Sequence, residues 1–198
     1  MRILWTGALA ALALALAGCG SGGADQAARA ASQAPTCPQA WRTGWQRVAD
    51  RIDAPVYCPS WMPNPLDGKI GGSWTDLVRV DPDGSYLISF IWQESSSGEV
   101  HVNLRRYPGT KMPLCRADNS QRMIPCFSDP HGTMRVGNID ATLYTVGRDA
   151  DQWHLTYLWH HDGATYAAGE HVAPPLNYGK VLRNVQRMLR GLVLLRPA

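Results

Sequence analysis

The chain has 198 residues, 45% of them hydrophobic, and a formal net charge of +3, which suits one domain with a real core. So small a charge excludes nucleic acid as the expected partner, since that calls for a dense basic stripe, and no nucleic-acid-binding motif is present. The nucleophile elbow, the zincin helix, the phosphate loop and the dinucleotide turn are also missing, so no cofactor is expected.

The chain opens with MRILWTGALAALALALAGCGSGG: one basic residue, Arg2, an apolar run from Ile3 to Ala17, then glycine and serine. The run is short for a bilayer span and lacks a basic stop, so it reads as a secretion signal. Leu16-Ala17-Gly18-Cys19 is similar to the bacterial lipobox. That resemblance implies cleavage before Cys19 and diacylglycerol on its thiol, with the lipid bilayer as partner and the protein on the extracytoplasmic face of a cell membrane. Two acyl chains, at about 0.8 kcal/mol per buried methylene, suffice for a stable anchor. Residues 1–18 are then the signal peptide, 19–35 a small, polar, flexible tether, and 36–198 a single domain.

Four cysteines remain: Cys37, Cys58, Cys115 and Cys126. An even number in an exported domain implies disulfides. Of three possible pairings, Cys37–Cys58 and Cys115–Cys126 each close a short local loop around one recognisable element, and such a loop is worth about 3 kcal/mol in the chain-entropy model. A zinc site competes weakly, because no Cys-x-x-Cys pair exists.

Within the domain, residues 38–52 predict a helix, with Trp41, Trp45, Val48 and Ile52 on one face. A proline-rich passage stops it. Three antiparallel strands follow: SWTDLVRV, SYLISFIWQ after a DPDG turn, and VHVNLRRY. In the third, Val100, Val102 and Leu104 face the core, with His101, Asn103 and Arg105 opposite on a wet side. Residues 108–131 show no period and read as a long loop that needs the Cys115–Cys126 staple. TMRVGNIDATLYTV resumes strand character, with a bend or bulge at Gly137-Asn138. The C-terminal stretch NYGKVLRNVQRMLRGLVLL predicts an amphipathic helix, with Val181, Val185, Met188, Leu189 and Leu192 as its apolar stripe.

Before that helix, QWHLTYLWHHDGATYAAGEHV concentrates histidine. If Asp162-Gly163 is a two-residue turn, the hairpin register follows. Trp153, Leu155, Tyr157, Trp159, Tyr166, Ala168 and Val172 then form a core face. His154, Thr156, His160, Thr165 and His171 form a wet or lightly covered one. His154 stands opposite His171, with Cβ atoms about 5 Å apart, close enough to share a metal ion. His160 lies too far along the strand to join them, and a catalytic zinc wants three protein ligands, so no metal site is assigned. His154, His171 and His160 are kept as candidate binding residues. Glu170 turns toward the core opposite Leu155, and the expectation is a place at the sheet rim paired with an arginine.

The two ends of the domain carry a second resemblance. Trp159, Gly163 and Tyr166 match the W-x-x-x-G-x-x-Y hairpin, and VYCPSWMP the Y-x-P-S-x-x-P entry, of uncharacterised extracytoplasmic domains in bacterial lipoproteins and anti-sigma-type membrane proteins. The resemblance implies an α+β fold outside the cytoplasm and no established activity. The expected architecture is an antiparallel sheet of about five or six strands, with an N-terminal and a C-terminal helix packed on one face. The expected role is a membrane-anchored envelope lipoprotein that binds a ligand, an envelope protein or the cell wall without catalysis. A metal-dependent hydrolase using His154 and His171, or an extracytoplasmic sensor, are the alternatives.

Overall fold

Helix α1, Gln39–Ile52, buries Trp41, Trp45, Val48 and Ala49 along the stripe its spacing dictates. It ends where Asp53 turns left-handed, its N–H closing on Ala49 O, just before the Ala54-Pro55 pair that disfavours further helix. The computed structural model describes residues 34–64, 66, 78–94, 98–117, 121–148 and 153–198. The signal segment, Cys19 and all but the end of the tether lie outside the described residues, as does most of SWTDLVRV. Pro35–Ala198 gathers into one compact unit.

The strands are β1 Val56–Pro59, β2 Val78–Val80, β3 Tyr86–Glu94, β4 Gly98–Pro108, β5 Leu114–Arg116, β6 Met123–Pro125, β7 Phe127–Val136, β8 Ile139–Gly147, β9 His154–His161, β10 Ala164–His171 and β11 Leu192–Leu195, with helix α2, Tyr178–Arg190, between the last two strands. Among the described residues the main sheet has seven strands, in the order β2-β3-β4-β10-β9-β8-β7, and every pairing is antiparallel. The sheet is therefore larger than the five or six strands expected. The extra member comes from TMRVGNIDATLYTV, which splits into β7 and β8, with β7 reaching back to Phe127 in the segment read as a loop; β5 and β6, from the same segment, form a separate two-stranded sheet. Gly137, at φ 55°, closes a full hairpin turn between β7 and β8 rather than a bend within one strand.

The C-terminal helix is shorter than its pattern suggested. It stops at Arg190, Gly191 follows, and Leu192–Leu195 turns back as a strand on β1, with Leu195 beside Val56 and Val193 beside Cys58. The Cys37–Cys58 disulfide, with Cα atoms 5.6 Å apart, ties the start of α1 to this two-stranded ribbon.

One core gathers α1, α2 and the inward side of the sheet: Tyr86, Ile88, Val102, Leu104, Leu155, Tyr166 and Ala168 pack with Val181, Val185, Met188 and Leu189. Trp41 meets Phe90 at 5.8 Å and Trp45 meets Tyr86 edge-on at 6.2 Å. Tyr57 sets its ring edge-on against both Trp159 and Tyr166, at 5.2 and 4.9 Å, a favoured arrangement of ring quadrupoles. Trp153, assigned to the core face, is instead 53% exposed; it stands one residue outside β9, with its ring 6.4 Å from that of Tyr178.

The second sheet face is not wet. Cys126, Phe127, Leu158 and Ala167 are buried together, with Tyr107, Met112, Cys115 and Tyr144 packed against them. The Cys115–Cys126 bridge (Cα atoms 4.8 Å apart) holds the covering loop in place. Alternating polar residues looked solvent-facing because sequence period reports sidedness, not what lies on each side.

Candidate functional site

The β9–β10 hairpin closes as Asp162-Gly163 requires, with φ of 46° and 69° at the two turn residues. Both are left-handed, the geometry that matches the twist of paired strands. Its register sets Trp159 opposite Tyr166, Leu155 opposite Glu170 and His154 opposite His171. On the far side of β10, Glu170 pairs with Val102 of β4. One step further along that register brings His101 to the row, so three histidines from three neighbouring strands meet on one face.

The rings of His154 and His171 stack at 5.2 Å and 26°. His101 stacks on His171 at 4.8 Å and 24°, and lies 4.6 Å from the His154 ring. Nε2 of His154 sits 2.6 Å from Nε2 of His101. At that distance one imidazole N–H donates into the lone pair of the other, which requires opposite tautomers. His154 is 1% exposed and His101 5% exposed, which corrects the expectation that this face is wet. Burial first, then the neighbouring charges of His171 and Arg105, push His101 down to about 4. His101 is thus neutral at neutral pH.

His160 does not join the row. It is exposed, with Nδ1 3.0 Å from Thr165 Oγ1. His161 lies beside Asp162 at 3.3 Å, and His131 packs edge-on against Tyr178. Among the described residues no group of three His, Cys, Asp or Glu side chains could hold a metal ion. The next polar pair on the same face is Ser89, whose hydroxyl donates to Asn103 Oδ1 at 2.6 Å.

Glu170 lies on the opposite face, directly after Gly169 and before His171, and is fully buried. It does not sit at the rim with an arginine. Its partner is Asn184 of α2, whose Nδ2 donates to Oε1 at 3.0 Å, while Oε2 finds no partner among the described residues. Burial pushes this carboxyl up to about 8, with Asn184 and the charge of Lys180 pulling weakly the other way. Glu170 is therefore mostly protonated at pH 7. Asn184 went unseen in the sequence because it interrupts the helix stripe between Val181 and Val185; its own burial, 6% exposed, is the mark of a polar residue placed to serve a partner.

A separate cleft of about 470 Å³ opens between the end of α1 and the β2–β3 turn, with Arg51, Asp53, Asp81, Asp83 and Arg106 in its walls. These groups are partly engaged with the turn itself: Arg106 donates to Gly84 O at 2.7 Å, and Asp83 accepts from Ser85 N at 2.9 Å. No protein family model, characterised protein or solved structure matches the chain.

Proposed function

We propose that this chain is a lipid-anchored protein of the bacterial envelope, acylated at Cys19 and facing away from the cytoplasm, whose stapled domain binds a ligand or partner without catalysing a reaction. The observation that carries this reading is the pair of disulfides, Cys37–Cys58 and Cys115–Cys126, one at each layer of the fold. Such bonds persist in oxidising compartments. The burial of His101, His154 and Glu170 supports a non-catalytic role, since a substrate meets none of the three from solvent. The finer architecture belongs to the same reading: α1 reaches Phe90 and α2 reaches Glu170, two residues on the inward side of the sheet, as expected of helices sharing one face. So does the kinship with uncharacterised extracytoplasmic lipoprotein domains.

The test is the mass of the protein isolated from membranes of the native cell. The expected species begins at an acylated Cys19 and carries two intact disulfides; Cys19→Ser abolishes both the acyl mass and membrane retention. A full-length, unmodified chain with reduced thiols refutes the reading. The hydrolase alternative gains His101 as a third imidazole, yet the 2.6 Å contact between Nε2 atoms is a hydrogen bond and not a chelate. Stoichiometric zinc in protein purified without a histidine tag, together with hydrolysis lost in His154→Ala, would restore it.

A further inference from the structure

The β5–β6 hairpin presents an apolar face to solvent. Leu114 is 57% exposed and Met123 is 51% exposed. In the register Leu114 stands opposite Pro125 and Arg116 opposite Met123, so these four residues share one side, and all four are exposed. The other side carries Cys115 and Ile124, half-buried. Cys115 packs on the cluster of Cys126, Phe127, Leu158 and Ala167 and is bridged to Cys126. The hairpin is thus fastened to the sheet by its inner side and cannot fold its outer side away.

The stretch of chain that forms the hairpin is unevenly charged. Between residues 110 and 126 the sequence holds three cations, Lys111, Arg116 and Arg122, against a single acid, Asp118. The three cations are exposed. Exposed apolar side chains along one side of a disulfide-held hairpin, with a lysine and two arginines exposed on the same stretch of chain, match the interface of an anionic bilayer: the apolar groups enter the acyl boundary while the cations stay among the headgroups. A protein surface would have to be both apolar and acidic to fit as well.

We infer that Leu114 and Met123, with Lys111, Arg116 and Arg122 around them, form a second contact with the membrane, a docking surface for anionic phospholipid. The contact rests on the anchoring proposed above only for proximity. An anchor at Cys19 leaves the domain free to swing on its tether; a second contact fixes its orientation and selects membranes by charge. Because the hairpin is already held by a disulfide, docking costs little ordering.

The test uses the full chain purified from membranes and reconstituted into vesicles of phosphatidylcholine alone or with one-third phosphatidylglycerol. Flotation with the vesicles and the intact mass at Cys19 read the anchor. Amide hydrogen exchange across 111–117 and 121–126 reads the hairpin, so failure of one is distinguishable from failure of the other. Each surface cation is worth about fivefold in partition onto an anionic membrane. Exchange in the hairpin is expected to slow at least fivefold in the anionic vesicles relative to the neutral ones. Both Leu114→Asp with Met123→Asp, and Lys111, Arg116 and Arg122 changed together to Gln, are expected to return it to the neutral rate. Peptide mapping of Cys115–Cys126 checks that the variants keep the staple. Equal exchange in the two vesicle types overturns the inference: slow in both means charge plays no part, and fast in both leaves the patch to a protein partner.

Discussion

Substituting Glu170 by glutamine removes a proton-binding group while keeping its shape and its acceptor for Asn184. The buried carboxyl binds its proton up to about pH 8, against 4.5 for the same group unperturbed. Its stabilising contribution is fully present below 4.5 and is lost progressively as pH rises toward 8. At pH 7 the folded state holds a proton that the unfolded chain has released, which costs about 2.5 pH units at about 1.4 kcal/mol each, or about 3.5 kcal/mol as an upper bound. Glu170→Gln escapes that cost. It should exceed the parent by about 2–3 kcal/mol at pH 7.5 and converge with it near pH 4.5. Urea unfolding of the mature, disulfide-intact chain, followed by its tryptophan fluorescence at pH 4.5 to 8.5, measures the difference provided the slope m is unchanged. A constant offset at all pH values would refute the argument by showing that Glu170 titrates alike in the folded and unfolded chain, and a variant less stable than the parent at pH 7.5 would refute it by showing that the fold favours the anion.

The histidine row should show the opposite sign. His101 is lowered from 6.5 to about 4, so its contribution is present above 6.5 and lost as pH falls toward 4, again about 3 kcal/mol at most. His101→Gln should therefore flatten the acid limb of the stability profile, at a cost of about 1–2 kcal/mol at pH 7 for disturbing the bond with His154; an unchanged acid limb would assign it to other groups. Gly169 tests the packing between the two sites. A Cβ there would stand 2.3 Å from Thr156 Oγ1 and 3.0 Å from Leu155 O. Gly169→Ala should cost about 2–3 kcal/mol, and adding Thr156→Ala should recover part of it, read as a coupling energy in the double-mutant cycle. Simple additivity would mean that the backbone shifts instead.

Local signals in the sequence were faithful. Trp41, Trp45 and Val48 announce α1, and Asp162-Gly163 sets a register that carries every cross-strand pair of the hairpin, including His154 with His171. Nonlocal pairing left no such trace. The adjacency of β4 and β10 depends on residues far apart in the chain, so His101 showed only as one polar member of an alternating strand. Leu-Val-Leu-Leu after α2 continues the helical stripe in phase, and only its pairing with Val56–Pro59 reveals a strand. In β7 the register shifts between Pro130 and Gly132, which scrambles the period that marks a strand. The site was half legible for the same reason: the two histidines inside one hairpin could be paired on paper, whereas the third histidine, the burial of all this polarity and the Asn184–Glu170 bond come from long-range assembly.

The ribbon of β1 and β11 imposes an order on biogenesis. Val56–Pro59 emerges early in synthesis, yet its strand partner among the described residues is Leu192–Leu195, which follows much later in the chain. Until then the backbone of β1 has no ladder to join, and Cys58 sits on an open edge where oxidation to Cys37 can proceed unobstructed. With that strand in place Cys37 and Cys58 are both buried, so the finished cystine lies out of reach of reductants in solution.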